Sequence, residues 1–90
     1  MYSLVRERDG AGDSGNMSLA LWLDDENLMQ YEHNARPRIG VAMRVGSMYA
    51  RTMSAQDWWQ TTPVKEILEE TESTVKFKTV NGSTYIWERS

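Results

Sequence analysis

The stretch Trp58–Val64 carries the side chains best suited to bind a ligand. Two adjacent tryptophans, Trp58 and Trp59, begin it, and an amide and two hydroxyls follow. Neighbouring side chains of a strand point to opposite faces, so we expect one tryptophan in the core and one presented. A presented tryptophan beside hydroxyls and arginines suits a nucleotide, through stacking and phosphate binding. The predicted ligand-binding residues are Arg44, Arg51, Trp58, Trp59, Thr61, Thr62, Tyr85 and Trp87. The alternative is a tryptophan that covers an open end of the fold or is buried in a dimer contact.

A second candidate site is formed by Arg36 and Arg38, which flank Pro37. The residue before a proline is held extended, and a guanidinium matches both phosphate and carboxylate. The pair is therefore a candidate anion clamp. The alternative is an extended connector whose arginines lie on the surface.

The residues needed for common catalytic and metal sites are missing from the chain. It has no cysteine and one histidine, His33, which excludes thiolate sites and makes a Ser-His-Asp triad improbable. The acidic run Asp24-Asp25-Glu26 lacks the spacing of a calcium loop. We therefore predict a non-enzymatic protein with no cofactor and no metal site.

Charge is distributed unevenly along the chain. Residues 1–33 hold two basic and seven acidic side chains, whereas residues 34–65 hold five basic and one acidic. The net charge is −3, and such asymmetry concerns partners rather than fold. Binding a duplex through many phosphates requires a basic domain, so we do not expect a duplex nucleic acid as the partner.

These candidates must be positioned by a small domain of 90 residues in all. Residues 1–16 are rich in Gly and Asp near their end, and we predict that they form a flexible acidic arm, with residues 17–90 as one β-rich domain. The sequence leaves open whether Met17 is an internal start. Leu21–Leu28 and Trp22–Met29 are seven residues apart, which favours a helix over residues 17–33. The alternative is two short strands joined by a polar loop at Asp24–Asn27.

From Ile39 onwards apolar and small or polar residues alternate, which predicts strands. Residues 39–45 form the first, residues 48–53 a second, and residues 58–68 a third that Pro63 bends. The charged run Glu69–Ser73 predicts a turn. The predicted fold class is mainly β (α+β): a small, strongly bent antiparallel sheet or SH3-like barrel of about five strands with one N-terminal helix.

The last two predicted strands, residues 74–80 and 83–87, are joined by Asn81-Gly82. This dipeptide is typical of a two-residue type I′ turn, which fixes the register of a hairpin. Phe77 should then face Ile86 in the core. The other face would present a basic and aromatic stripe consisting of Lys76, Lys78, Tyr85 and Trp87.

Four segments carry a resemblance to a known class of proteins: Arg38–Arg44, Val45–Arg51, Trp58–Val64 with Ile67, and Phe77–Thr79 through Tyr85. In these the chain resembles small accessory proteins of bacteriophages and other mobile elements. The resemblance covers a little over half of the chain and includes no catalytic motif. It implies a counter-defence role in the cytoplasm of an infected bacterial host, by blocking a defence protein, as anti-CRISPR proteins do, or by sequestering a nucleotide signal.

Together these observations predict a phage-type binding protein that captures a nucleotide-like signal. The alternative is an anti-CRISPR-like inhibitor whose acidic first third binds a defence nuclease.

No run of about 18 apolar residues is present, so we expect no membrane span. Large apolar side chains exceed what one small barrel can enclose, which predicts a homodimer. They are Trp22, Met43, Met48, Tyr49, Met53, Trp58, Trp59 and Trp87.

Overall fold

Nine β-strands form in the residues that the computed structural model describes, 1–47 and 58–90. The strands are β1 (Tyr2–Arg6), β2 (Gly12–Gly15), β3 (Met17–Leu23), β4 (Met29–His33), β5 (Ala42–Gly46), β6 (Trp58–Gln60), β7 (Val64–Glu70), β8 (Thr74–Thr79) and β9 (Thr84–Arg89). The predicted mainly β class is confirmed. The predicted strand over residues 48–53 lies outside the described residues.

The strands are arranged in two antiparallel sheets. The large sheet has the order β2-β1-β9-β8-β7, and the small sheet has the order β4-β3-β5-β6. Over the described residues the sheets do not close into a barrel, so the SH3-like alternative is wrong. Each sheet turns one face inward to a shared core, and its opposite face is called its outer face below.

The core lies between the two inner faces. The large sheet contributes Leu4, Phe77 and Trp87, and the small sheet contributes Met43 and Val45. All five side chains are at most 1% exposed. Burial of this apolar surface is the main favourable contribution to folding.

The predicted helix over residues 17–33 is wrong: these residues form the hairpin β3–β4, the alternative that the sequence left open. Its loop is closed by Asp24, whose Oδ1 accepts the N–H groups of Glu26 at 2.8 Å and Leu28 at 3.0 Å. Asn27 has a φ of 61°, a conformation that asparagine tolerates better than most residues. Local side-chain bonds of this kind favour a turn over helix.

The predicted flexible arm also differs from the structure, because residues 1–16 form β1 and β2. β1 pairs with β9 from Tyr2 to Arg6, and Leu4 is fully buried. β2 has little apolar surface but pairs with β1 through its backbone. A Cβ at Gly12 would overlap the carbonyl oxygen of Leu4, so glycine permits this close approach.

The β8–β9 hairpin forms, but its register differs by one residue from the prediction. Phe77 pairs with Tyr85 and not with Ile86. Thr79 N–H donates to Ser83 O at 2.9 Å, so three residues, 80–82, lie between this last pair, and Gly82 is the one at positive φ, 89°. A turn with a Gly bulge replaces the type I′ turn. A slip of one residue moves every side chain of β9 to the other face.

The stretch from Trp58 to Glu70 is divided between the two sheets. β6 belongs to the small sheet, β7 belongs to the large sheet, and Pro63 lies in the break between them. Thr61 N–H donates to Met43 O at 2.8 Å, and Val64 N–H donates to Val41 O at 2.8 Å. The predicted bend at Pro63 is therefore where the chain crosses from one sheet to the other.

Candidate functional site

Trp58 and Trp59 lie on opposite faces of the small sheet, as strand geometry requires. Trp59 packs against the core, and its Nε1–H donates to the Tyr85 hydroxyl at 3.1 Å. The guanidinium carbon of Arg6 lies 5.1 Å from the Trp59 ring centroid. These contacts give Trp59 a structural role, and Arg6 lies over its partly buried ring.

Three further predicted ligand-binding residues are interior. Trp87 is 1% exposed and donates its Nε1–H to Ser18 Oγ at 2.9 Å. Tyr85 stacks on Phe77 with ring centroids 5.7 Å apart. Buried Thr61 accepts the N–H of Met43 at 3.0 Å. The predicted basic and aromatic stripe is absent because the hairpin register places its aromatic members in the core.

The predicted anion clamp is also not formed. Arg36 donates to the Glu72 carbonyl at 2.7 Å and forms an ion pair with Glu70 at 3.0 Å. Arg38 forms an ion pair with Glu32 at 3.1 Å. Both guanidinium groups are therefore engaged within the chain. They connect the segment after β4 to neighbouring strands, which is the connector alternative.

Arg44 and Trp58 remain together on the outer face of the small sheet. The Arg44 guanidinium carbon lies 4.0 Å from the Trp58 ring centroid, a cation–π contact. Its Nη2 also donates to Gln60 Oε1 at 2.6 Å. Arg51, the other arginine predicted to bind the ligand, lies outside the described residues.

An open groove of about 510 Å³ lies at one end of the small sheet. Thr62 is the predicted ligand-binding residue at its surface, and the groove is otherwise mainly apolar. It is lined by Leu21, Trp22, Leu23, Met29, Gly40, Ala42, Gln60, Thr61, Thr62 and Pro63. Ligand sites in proteins are typically concave and apolar with a few polar groups, and this groove matches that description.

Exposed apolar side chains border the groove on the outer face of the small sheet. Leu23 is 59% exposed, its cross-strand partner Met29 57%, and Tyr31 62%. Sequence reasoning missed all three. The signal was present in β3, Met-Ser-Leu-Ala-Leu-Trp-Leu, which is apolar on both faces and so requires cover on both.

Residues 24–27, in the loop of the β3–β4 hairpin, give this end of the sheet an acidic edge and are called the acidic turn below. Both carboxylate oxygens of Asp24 are engaged within the hairpin, since its Oδ2 accepts a hydrogen bond from Gln30 Nε2 at 2.8 Å. Hydrogen bonds from the backbone N–H groups of Leu28 and Glu26 lower the pKa of Asp24. Asp25 and Glu26 are exposed beside the groove's rim. A carboxylate turn next to an apolar groove favours a partner that is both apolar and cationic.

Within residues 1–47 and 58–90 no group of three or more metal-ligating side chains comes together. In the same residues no helix is long and apolar enough to cross a membrane.

Comparison of the chain with protein-family models, with curated proteins and with solved structures finds no match. The link to phage accessory proteins therefore stays a prediction from the sequence.

Proposed function

We propose that the protein is a non-enzymatic binding protein that engages a protein partner through the groove and its rim. The observation that supports this is the open apolar groove, bordered by Leu23, Met29 and Tyr31 and by the acidic turn. Exposed apolar patches with a polar border are typical of protein-contact sites. The alternative role raised by the sequence, an inhibitor that acts through its acidic part, is therefore the better supported one.

The chemistry of the groove specifies the partner. An apolar side chain would fill the groove, and lysine or arginine on either side of it would face Asp25 and Glu26. A nuclease carries such basic residues on the surface that binds nucleic acid. The resemblance to phage proteins supports a host defence nuclease as the target, so we propose that the protein covers that surface.

The test is an NMR titration of the isotope-labelled protein with three synthetic peptides. Each contains one central leucine, flanked by arginine, by serine or by glutamate. We expect shifts at Leu21, Leu23 and Met29, with affinity in the order arginine, serine, glutamate. Glu26→Lys should weaken binding of the arginine peptide, whereas Glu69→Lys on the large sheet should not.

Equal affinity for the arginine and glutamate peptides would contradict the role of the acidic turn. Absence of shifts at the groove with every peptide would overturn the proposed function.

A second candidate function, capture of a nucleotide-like ligand, is supported by the Arg44–Trp58 stack and Gln60. A base would have to displace the guanidinium from the ring, after which Arg44 would be available to phosphate. Thermal unfolding with a panel of cyclic and dinucleotides tests this candidate. A ligand at 100 times its Kd would add about 2.7 kcal/mol of stability. Absence of any shift would leave the protein-binding function alone.

A further inference from the structure

The edge strands of the two sheets differ in how they are protected against pairing with another chain. β7, at one edge of the large sheet, has two register irregularities and is rich in charge, and β2 at the other edge has four residues. β6, at one edge of the small sheet, has three residues and ends shortly before Pro63. Bulges, charge, short length and proline are the known means by which proteins protect sheet edges.

In the part of the chain that the structure describes, β4 lies at the remaining edge and has none of these protections. It is five residues long, its ladder with β3 is regular, and it contains neither proline nor lysine. All five residues are exposed. Its single carboxylate, Glu32, is engaged by Arg38 at 3.1 Å. Such an edge is a template for one more strand.

The hydrogen-bond pattern shows which backbone groups of β4 are available. Asp24 N–H donates to Leu28 O at 3.0 Å at the start of the hairpin. In an antiparallel pair, alternate residues direct their backbone groups to the neighbouring strand. Gln30 and Glu32 are thus directed to β3, whereas Met29, Tyr31 and His33 direct their N–H and C=O groups to the open edge.

We propose that β4 pairs with β4 of a second copy of this chain, antiparallel and centred on Tyr31. Tyr31 then faces Tyr31 of the second copy, and Met29 faces His33 of the second copy. In this register the outward-directed N–H and C=O groups of Met29, Tyr31 and His33 form hydrogen bonds with those of the second copy. Both open edges are then paired. The two small sheets become one continuous sheet, related by two-fold symmetry.

Side-chain charge favours a second copy as the occupant. Gln30 faces Glu32 of the second copy, an amide opposite a carboxylate, and no like charges are opposed along the strand. The acidic turn extends toward the segment of the second copy that follows His33. That segment carries Arg36 and Arg38, whose guanidinium groups pair with Glu70 and Glu32 of their own chain but remain 33% and 46% exposed, whereas Asp25 and Glu26 are acidic. The complementarity is reciprocal, as an isologous interface requires.

This interface differs from the sequence argument for a dimer, which rested on an excess of large apolar side chains. Met43 and Trp87 are buried between the two sheets, and Trp22 and Trp59 pack against the same core. Met48, Tyr49 and Met53 lie outside the described residues. The strand edge, not the aromatic content, supports the second copy, and it does not depend on the proposed function.

The proposal is tested by light scattering of the intact protein together with a cysteine variant. We expect the mass of a dimer over a wide range of concentration. The chain has no cysteine, so Tyr31→Cys introduces a single thiol at the two-fold axis. The facing Cα atoms would be about 5.5 Å apart, within the span of a disulfide, so mild oxidation should give a covalent dimer. Val80→Cys, exposed in the β8–β9 loop, is the matched control and should stay uncrosslinked.

A second variant separates loss of the interface from loss of the fold. Tyr31→Lys places a charge on the open edge and should give a monomer with the circular dichroism of the parent. Val80→Lys should remain a dimer. A parent protein that is monomeric at every concentration would overturn the proposal. A dimer that Tyr31→Cys does not crosslink, or that Tyr31→Lys leaves intact, would overturn it as well.

Discussion

The outer faces of the two sheets differ in the side chains that they expose to water. On the large sheet Lys76 forms an ion pair with Glu7 at 2.9 Å, and it lies opposite Glu69, as Lys78 lies opposite Glu66. On the small sheet the outer face carries apolar side chains, covered at one end and exposed at the other. Charge opposite charge neutralises the first face within one molecule. The second face remains unmatched, and it is the face that we assign to contact with partners.

The largest effect on stability is expected in the core between the two sheets. Leu4→Ala should lower the free energy of unfolding by about 2–5 kcal/mol, because it leaves a cavity in the core. Its neighbour Val5, on the outer face of the same strand, is the control, and Val5→Ala should cost less than about 0.5 kcal/mol. Chemical denaturation measures both. Equal, small losses would mean that β1 does not pack on the domain.

The next largest effect on stability is expected in the β8–β9 loop, whose length sets which face of β9 is buried. Gly82→Val should cost about 1–2 kcal/mol, because a β-branched residue is strained at positive φ. Only Gly82 has this conformation in the loop, so Asn81→Ala should cost less and should lose only side-chain hydrogen bonds. Thermal unfolding of both variants checks the difference. Similar losses of stability in the two variants would instead support the two-residue turn and, with it, the predicted basic and aromatic face.

A smaller effect on stability separates the two outer faces directly. Leu23→Ser should change the free energy of unfolding by less than about 0.5 kcal/mol, because the side chain is exposed. It should nevertheless weaken binding of the arginine-flanked peptide in the NMR titration. Ile86→Ser, on the outer face of the large sheet, should alter neither quantity by more than this. Loss of peptide binding in the Ile86 variant would show that the faces are not distinct.

The smallest effect is a titration in the β1–β2 loop. The hydrogen bond from Arg6, followed by that from the Ala11 N–H, lowers the pKa of Asp9 to about 2. The folded pKa is below the ordinary value of 3.8, so this contribution to stability is present above pH 3.8 and is lost as pH falls toward 2. NMR titration of the carboxyl carbon should give this midpoint in the parent. In Arg6→Gln the midpoint should rise toward the ordinary value, and an unchanged midpoint would assign the shift to Ala11.

Several features could be predicted from the sequence because they are local. Alternation from Ile39 to Val45 and from Thr74 to Val80 indicated strands, and Pro63 indicated a bend in the chain. The adjacent tryptophans had to point to opposite faces for the same reason. Each of these follows from backbone geometry over a few residues and needs no distant partner.

The candidate site could not be predicted in the same way. Tyr85 and Trp87 were expected at the surface because Asn81-Gly82 suggested a two-residue turn, and one more loop residue turned them inward. Their hydroxyl and N–H groups then bonded Trp59 and Ser18, so these two predicted ligand-binding residues became part of the core.

The sequence by itself determined the class of the fold, since a period of two residues is a property of each strand alone. Only the tertiary structure decided which strands are neighbours and which faces are covered. β1 pairs with β9 from the far end of the chain, and the acidic segment thought too polar to order is held by backbone pairing with β1. Pairing at such sequence separation depends on the summed burial of both sheets, a quantity that no local window contains.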